Sequence, residues 1–341
     1  MTPERQPTTQ PTPARLFDTI NAHQRTEAIK SAIELNLFTA IAEGKTTAKE
    51  IAEACQASER GTRILCDYLV IMEFLTKEGN RYGLTPDSAM FLDKRSPAYL
   101  GTVIDFMLSP MLTDNFKKLT EAVKKGGSAG GEDTVVAPDH PVWVKFARAM
   151  APMMAMPSQL LARLADPNGN QKLKILDIAA GHGLFGLAFA RQNPQAEITA
   201  VDWPNVLEVA KENAQAAGVS DRYHTKPGSA FDVDYGTGYD VVLLTNFLHH
   251  FDVPTCETLL RKVRASLAEG GRAVTLEFVP NDDRVTPPQA AGFSMMMLGA
   301  TPGGDAYTFA ELEQMFTNAG FTRSELHELP PTIQRVVISD K

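Results

Sequence analysis

Cysteine is scarce. Three occur in 341 residues, Cys55, Cys66 and Cys256, and they lie far apart. That spacing makes no metal or redox motif and fits isolated thiols in a reducing compartment. Long apolar runs are also missing. Nowhere do ~20 apolar residues follow one another, so no membrane span is expected. The polar start, rich in Pro and Thr, has no apolar stretch to act as a signal peptide. Nor is there a dense run of Lys and Arg; the formal net charge is −8. Phosphate binding relies on clustered basic side chains, so nucleic acid is disfavoured as a partner. No cluster of acids suggests a bound metal, and Asn281-Asp282-Asp283 reads as a solvated turn. The expected location is the cytoplasm.

What is present suits two domains. The length is too great for one ordinary domain, and 43% hydrophobic residues can bury sizeable cores. Residues 1–13 read as a disordered tail. Residues 14–100 begin with helical spacing of Ile20, Ile29, Ile33 and Leu37. Thr47-Ala48-Lys49-Glu50 is a capping box, and Ser58 can cap the next helix. Two short strands then flank the turn Glu78-Gly79-Asn80. Helices followed by a hairpin make a winged-helix pattern. A DNA-reading helix needs basic side chains, but Arg60 and Arg63 share theirs with Glu59, Asp67 and Glu73. A dimerisation platform is the preferred reading. Residues 101–165 read as a helical connector that contributes to a substrate pocket, with a flexible stretch over Lys125 to Asp139. Phe146, Met150, Met153, Met154 and Met156 form an apolar stripe there, as core or as a pliable wall for a ligand.

Residues 166–341 alternate strand and helix. Strands are expected at Leu173–Ile178, Ile198–Val201, Arg222–Lys226, Tyr239–Thr245 and Arg272–Val279. Phe321–Leu329 and Thr332–Ser339 are consecutive extended runs joined at Pro330-Pro331. The pattern predicts an α/β Rossmann-like domain, mostly parallel, closed by an antiparallel hairpin.

The strongest local signal is Leu176-Asp177-Ile178-Ala179-Ala180-Gly181-His182-Gly183-Leu184-Phe185-Gly186. An apolar strand enters a loop of tiny residues and then a helix. Gly181 and Gly183 allow close approach to the backbone, beside the N–H groups of a helix start. A second strand ends at Asp202, where an acid takes the ribose hydroxyls of an adenosine. The glycines also fit G-x-G-x-x-G, so NAD competes as the ligand. Against it stand the mid-chain position, Asp177 on the strand, and the terminal hairpin.

Taken in order and spacing, these residues resemble a known family. With Val201-Asp202-Trp203-Pro204-Asn205-Val206, Leu248-His249-His250-Phe251-Asp252, Leu276-Glu277-Phe278 and Pro302-Gly303-Gly304, the chain is similar to class I S-adenosylmethionine-dependent O-methyltransferases of the plant caffeate and bacterial natural-product type. These carry an N-terminal winged-helix dimerisation domain. The resemblance implies a homodimer that binds S-adenosylmethionine, releases S-adenosylhomocysteine, and methylates a small-molecule acceptor. It places cofactor contacts at Ala179, Gly181, Asp202, Ser229, Ala230 and Thr245; Asp177 and Gly183 of the loop, and Phe231, are expected to join them. Ser229 stands where the family often has Asp, and Thr245 where Lys is common. Trp203 can stack on adenine or pack against the sheet.

His249 resembles the family's general base; a neutral imidazole suits proton removal from a hydroxyl. His250 stands where the family usually has Asp. Glu277 matches the first acid flanking the base, and the second falls at Ala306, with Asp305 adjacent as a substitute. The implied acceptor pocket comprises Phe146, Met150, Asn246, Phe247, Met296, Met297 and Thr301, apolar and soft, suited to an aromatic or polyketide-like molecule. Three alternatives stay open: a relative whose cofactor assists a non-methylating reaction, an NAD-dependent oxidoreductase, and a winged-helix regulator that senses the cofactor.

Overall fold

Thr47 starts a helix as its capping box predicts. Its Oγ1 accepts the Glu50 N–H at 3.3 Å, and the Glu50 carboxylate accepts the Thr47 N–H at 2.9 Å, opening Ala48–Ala54. Ser58 accepts the Gly61 N–H and opens Glu59–Ile71. β1 (Leu75–Glu78) and β2 (Arg81–Leu84) then pair antiparallel. Leu37, Phe38, Ile51, Leu69 and Leu75 are buried between these elements. Leu16, Phe17, Ile20, Ile64 and Ile71 remain exposed.

The structure, a computed structural model, describes residues 11–130 and 142–341. Residues 1–10 of the expected tail and 131–139 of the expected Gly-rich stretch lie outside the described residues. The chain forms two units, Met1–Thr102 and Val103–Lys341.

The second unit carries β3 (Leu173–Ile178), β4 (Ala196–Asp202), β5 (Tyr223–Pro227), β6 (Tyr239–Thr245), β7 (Leu267–Glu277), β8 (Arg323–Glu328) and β9 (Arg335–Asp340). They form one sheet in the order β5-β4-β3-β6-β7-β9-β8. The first five are parallel; β9 runs antiparallel to both β7 and β8. This is the expected mostly parallel sheet with its closing hairpin. β7 starts earlier than the apolar pattern suggests, because Glu269-Gly270-Gly271 masks its first residues.

Central strands are buried on both faces, so they read as continuous apolar runs. Ile175, Val241 and Leu243 belong to one core, with Leu161 and Phe189; Leu176, Ile178, Val242 and Leu244 belong to the other, with Leu260 and Phe316. Each such side chain contributes roughly 1.5–3 kcal/mol. Of the expected connector, residues 103–130 and 142–165 are part of this unit. Their last helix, Val142–Ala165, buries Leu161, Ala162 and Ala165 in the first core, because its apolar face needs a sheet to cover. In the methionine stripe Met150 and Met154 are buried, whereas Met156, two residues and some 200° further round the helix, is exposed. Register aligns Ile178 with Val201 and Leu244, and Thr245 with Leu276. The carboxyl ends of β3, β4, β6 and β7 therefore share one edge, where open α/β sheets bind ligands.

Candidate active site

At that edge β3 delivers a buried acid. Asp177 Oδ2 accepts the Gly186 N–H at 3.0 Å, while Oδ1 is buried with no hydrogen-bond partner. Burial pushes its carboxyl up to about 7. The chain then turns through left-handed residues, Ala179 (φ 54°), Gly181 (φ 56°) and Gly183 (φ 76°). Asp202, ending β4, accepts the Gly181 N–H through Oδ2 and the Trp203 N–H through Oδ1, both at 2.7 Å. Burial pushes it up to about 6.

The glycines do different jobs. A Cβ on Gly183 would stand 2.6 Å from the Tyr223 hydroxyl and 2.9 Å from Ala210 Cβ, and one on Gly186 would stand 2.7 Å from Ile198 Cγ2. A Cβ on Gly181 would meet nothing nearer than the Ala179 oxygen at 3.9 Å. The open side of the loop is thus at Gly181; Gly183 and Gly186 let the helix Leu184–Gln192 sit down on the sheet. His182, which sequence reasoning passed over, stands just before that helix and satisfies its first N–H. Its Nδ1 accepts the Leu184 N–H at 3.1 Å, and burial holds its pKa down at about 4, so the ring is neutral with its proton on Nε2.

Ser229-Ala230-Phe231 lies beside the end of β4, with the Gly228 N–H donating to the Asp202 carbonyl at 2.9 Å. Ser229 Oγ accepts the Phe231 N–H. Lys262 donates to the carbonyls of Ala230 (3.1 Å) and Phe231 (2.7 Å), and the Tyr235 hydroxyl also donates to Ala230. Neither brace was visible in sequence, since both come from other elements. Thr245 is buried at the end of β6. Trp203 packs against Ala147, Val206 and Val209.

β6 leads into the short turn Leu248–His250. His249 Nδ1 stands 2.6 Å from Glu277 Oε2, and both side chains are buried. Glu277 Oε1 accepts the backbone N–H groups of Phe247 (3.0 Å), Leu248 (2.9 Å) and His249 (3.4 Å). A carboxylate so placed makes Nδ1 the donor and leaves the lone pair on Nε2. The Cys256 thiol donates to the Leu248 carbonyl at 3.2 Å, and the Tyr307 hydroxyl to that of Phe251. Phe293 meets the His249 ring edge-on at 4.9 Å and stacks on Phe278 at 4.0 Å. The His250 ring lies 4.4 Å from that of His249 and edge-on to Trp143. Burial, then the neighbouring His249, hold its pKa well below the usual imidazole range, so His250 is neutral.

Asp305 stands apart from this pair. Its Oδ2 ion-pairs with Arg284 at 3.3 Å and its Oδ1 accepts the Ala306 N–H; among the described residues no hydrogen bond or ion pair joins it to His249. At Gly304 the backbone passes so near His249 that an added Cβ would lie 2.1 Å from the His249 carbonyl oxygen. Contact with the turn is made there by main chain, and Asp305 is directed outward. Gly304→Ala is accordingly expected to displace the turn and lower kcat by about 100-fold, the scale of a 1 Å misplacement, with a cooperative melt retained. Wild-type kcat in steady-state assays would contradict this.

Of the remaining positions, Met150, Met297 and Thr301 are buried, and Phe146, Phe247 and Met296 are half-buried. Phe146 packs edge-on to Phe106 (4.8 Å) and Trp143 (5.8 Å), and Phe247 to Phe251 (5.0 Å). Thr301 Oγ1 is engaged locally, with the Met297 carbonyl and the Gly304 N–H. Asn246, at φ 55°, accepts from Gln334 through Oδ1 and faces Met154 Sδ at 3.6 Å through Nδ2.

The family model for the O-methyltransferase domain matches residues 116–322. The chain belongs to the O-methyltransferase family. A second model, the O-methyltransferase dimerisation domain, matches residues 17–94. This O-methyltransferase is 58% identical to a protein from Nostoc punctiforme labelled a candidate O-methyltransferase, whose crystal structure superposes with a TM-score of 0.95 over 97% of this chain and 100% of that one. It is 29% identical to the 3-hydroxy-5-methyl-1-naphthoate 3-O-methyltransferase of Streptomyces sahachiroi, over 90% of this chain and 89% of that one. Human N-acetylserotonin methyltransferase, crystallised with S-adenosylmethionine, shares the fold at 21% identity, with a TM-score of 0.84 over 98% of this chain and 99% of that one. Among the described residues no group of His, Cys, Asp or Glu could hold a metal ion, and no helix is long and apolar enough to cross a membrane.

Proposed function

We propose that this enzyme transfers the methyl group of S-adenosylmethionine to a hydroxyl oxygen of a small aromatic or polyketide-like molecule. The observation that carries the reading is the 2.6 Å pair of His249 Nδ1 and Glu277, at the same sheet edge as the Asp177–Asp202 cradle. The cradle suits an adenosyl ligand with a cationic amino-acid end. Asp202 has a carboxylate for two ribose hydroxyls, Gly181 leaves the backbone open, and the orphaned Asp177 Oδ1 lacks the partner that an ammonium group would be. This reading assigns the remaining cofactor contacts to Ser229, Ala230, Phe231 and Thr245, just past β5 and at the end of β6. Bound there, the cofactor supplies an electrophilic methyl on a sulfonium. His249 Nε2 takes the proton of the acceptor hydroxyl, and Glu277 steadies the resulting imidazolium. Phe146, Met150, Phe247 and Phe293 hold a flat ring, and alignment lowers the barrier further. Asp305 takes no part. The exposed Leu16, Phe17, Ile20, Ile64 and Ile71 on the first unit support a homodimer; a monomer by light scattering would contradict that part.

Calorimetry with S-adenosylhomocysteine and NAD tests the ligand: the first binds, the second does not, and the reverse would overturn the reading. The two acids add a pH dependence of known sign. Both are raised in the folded protein, so between about pH 4 and about pH 7 the folded state holds more protons than the unfolded one, and these groups make the apo protein less stable as pH rises. Ligand binding runs the other way, because it needs the charged carboxylates. Affinity for S-adenosylhomocysteine is expected to fall about 100-fold from about pH 8 to about pH 5.5, while the apo melting temperature does not fall with it. Affinity flat across that window would contradict the role of the two acids.

A further inference from the structure

Gln334 is a buried amide, 3% exposed, just before β9 in a neighbourhood of Leu329 and Val336. A buried amide is tolerated only when bonded. Its backbone is pinned, the N–H donating to Thr332 Oγ1. Arg335 is in register with Glu277, so Gln334 lies just past the end of β7, and its side chain reaches across that end to donate to Asn246 Oδ1. Asn246 is pinned in turn: its φ is 55° and its N–H donates to the Leu276 carbonyl at 2.8 Å. Because Gln334 holds Oδ1 on its own side, the amide nitrogen is turned the other way, where it faces Met154 Sδ at 3.6 Å. A thioether is a weak acceptor that any oxygen outcompetes.

We propose that Gln334 is a positioning residue that fixes the Asn246 amide as a hydrogen-bond donor for a carbonyl or carboxylate oxygen of the bound ligand. This rests on the site assigned above. Asn246 stands between the cofactor cradle and the His249 turn, so that oxygen belongs either to the acceptor molecule or to the amino-acid end of the cofactor. The chain's last hairpin, which contributes no motif residue, then takes part in recognition.

The test uses the full chain and the isosteric variants Gln334→Met and Gln334→Glu, with melting curves to show that both fold. S-adenosylhomocysteine is titrated first; 3-hydroxy-2-naphthoate and 2-naphthol are then titrated into protein saturated with it. One of two affinities is expected to fall about tenfold in Gln334→Met, the worth of one hydrogen bond to a charged oxygen. A fall for S-adenosylhomocysteine assigns the donor to the cofactor, and a fall for the naphthoate assigns it to the acceptor, with 2-naphthol unmoved. Gln334→Glu loses more, because its carboxylate draws the Asn246 N–H to itself. Gln334→Met added to Asn246→Ala changes nothing further. Unchanged affinities in both variants, a wild type that binds neither naphthalene with S-adenosylhomocysteine affinity unmoved, or an equal loss for 2-naphthol would overturn the proposal. A wild type that fails to bind S-adenosylhomocysteine at all would instead overturn the site assignment.

Discussion

Replacing His249 by Ala is expected to lower kcat by about 10²–10⁴-fold, the range for a positioned general base, with S-adenosylhomocysteine bound as in the wild type. The split follows from geometry. The ring's Nδ1 is committed to Glu277 at 2.6 Å, so the proton-accepting nitrogen is Nε2, whereas the cradle is built by Asp177, Gly181 and Asp202 on other strands. The variant is expected to fold, because Glu277 Oε1 keeps its three backbone donors, at a cost of roughly 1–3 kcal/mol for the Oε2 left unpaired. Single-turnover rates on cofactor-saturated enzyme measure the effect. A rate within tenfold of wild type would remove the imidazole from the mechanism. His250 does not compensate, since its Nδ1 is buried and its ring packs edge-on to Trp143.

Glu277→Gln should cost about as much, about 10³–10⁴-fold in kcat, by a different route. An amide in place of Oε2 turns an N–H toward His249 Nδ1. The ring answers by moving its proton to Nε2, the nitrogen that must accept one. Weakening charge-assisted bonds to the turn costs roughly 1–3 kcal/mol of stability besides. The two effects are separable: kcat is compared at a temperature well below both melting transitions. A variant that melts lower yet turns over at the wild-type rate would make Glu277 a strut alone. Glu277→Ala is the poorer test, because three buried N–H groups would lose their partner and the protein would fail to fold.

How much of this was legible beforehand depends on the distance over which each contact closes. The capping box at Thr47, the turn after Asp177 and the hairpin at Pro330-Pro331 are local, and the residue types state them directly. The pairing of His249 with Glu277 spans 28 residues but follows from parallel strand order, so the resemblance carried it. What stayed hidden arrives from elements with no pattern of their own. Lys262 and Tyr235 brace Ala230 from a helix and a loop, Phe293 covers the imidazole from beyond β7, and Gln334 crosses the sheet end. Nor could sequence tell that Gly183 is a packing glycine while Gly181 is the open one; that depends on Tyr223 and Ala210. Asp305 looked available as a second flanking acid because adjacency in sequence was the only guide, and one residue's change of direction sends it to Arg284.

The most direct test is the fate of the methyl group. Enzyme, methyl-labelled S-adenosylmethionine and a panel of hydroxylated aromatic compounds are incubated together, and the products are resolved by mass and NMR. The account predicts label in an aryl methyl ether, with one S-adenosylhomocysteine released per ether formed and both lost in His249→Ala. Label on carbon or nitrogen, or cofactor bound firmly with no transfer to any hydroxyl, would contradict it.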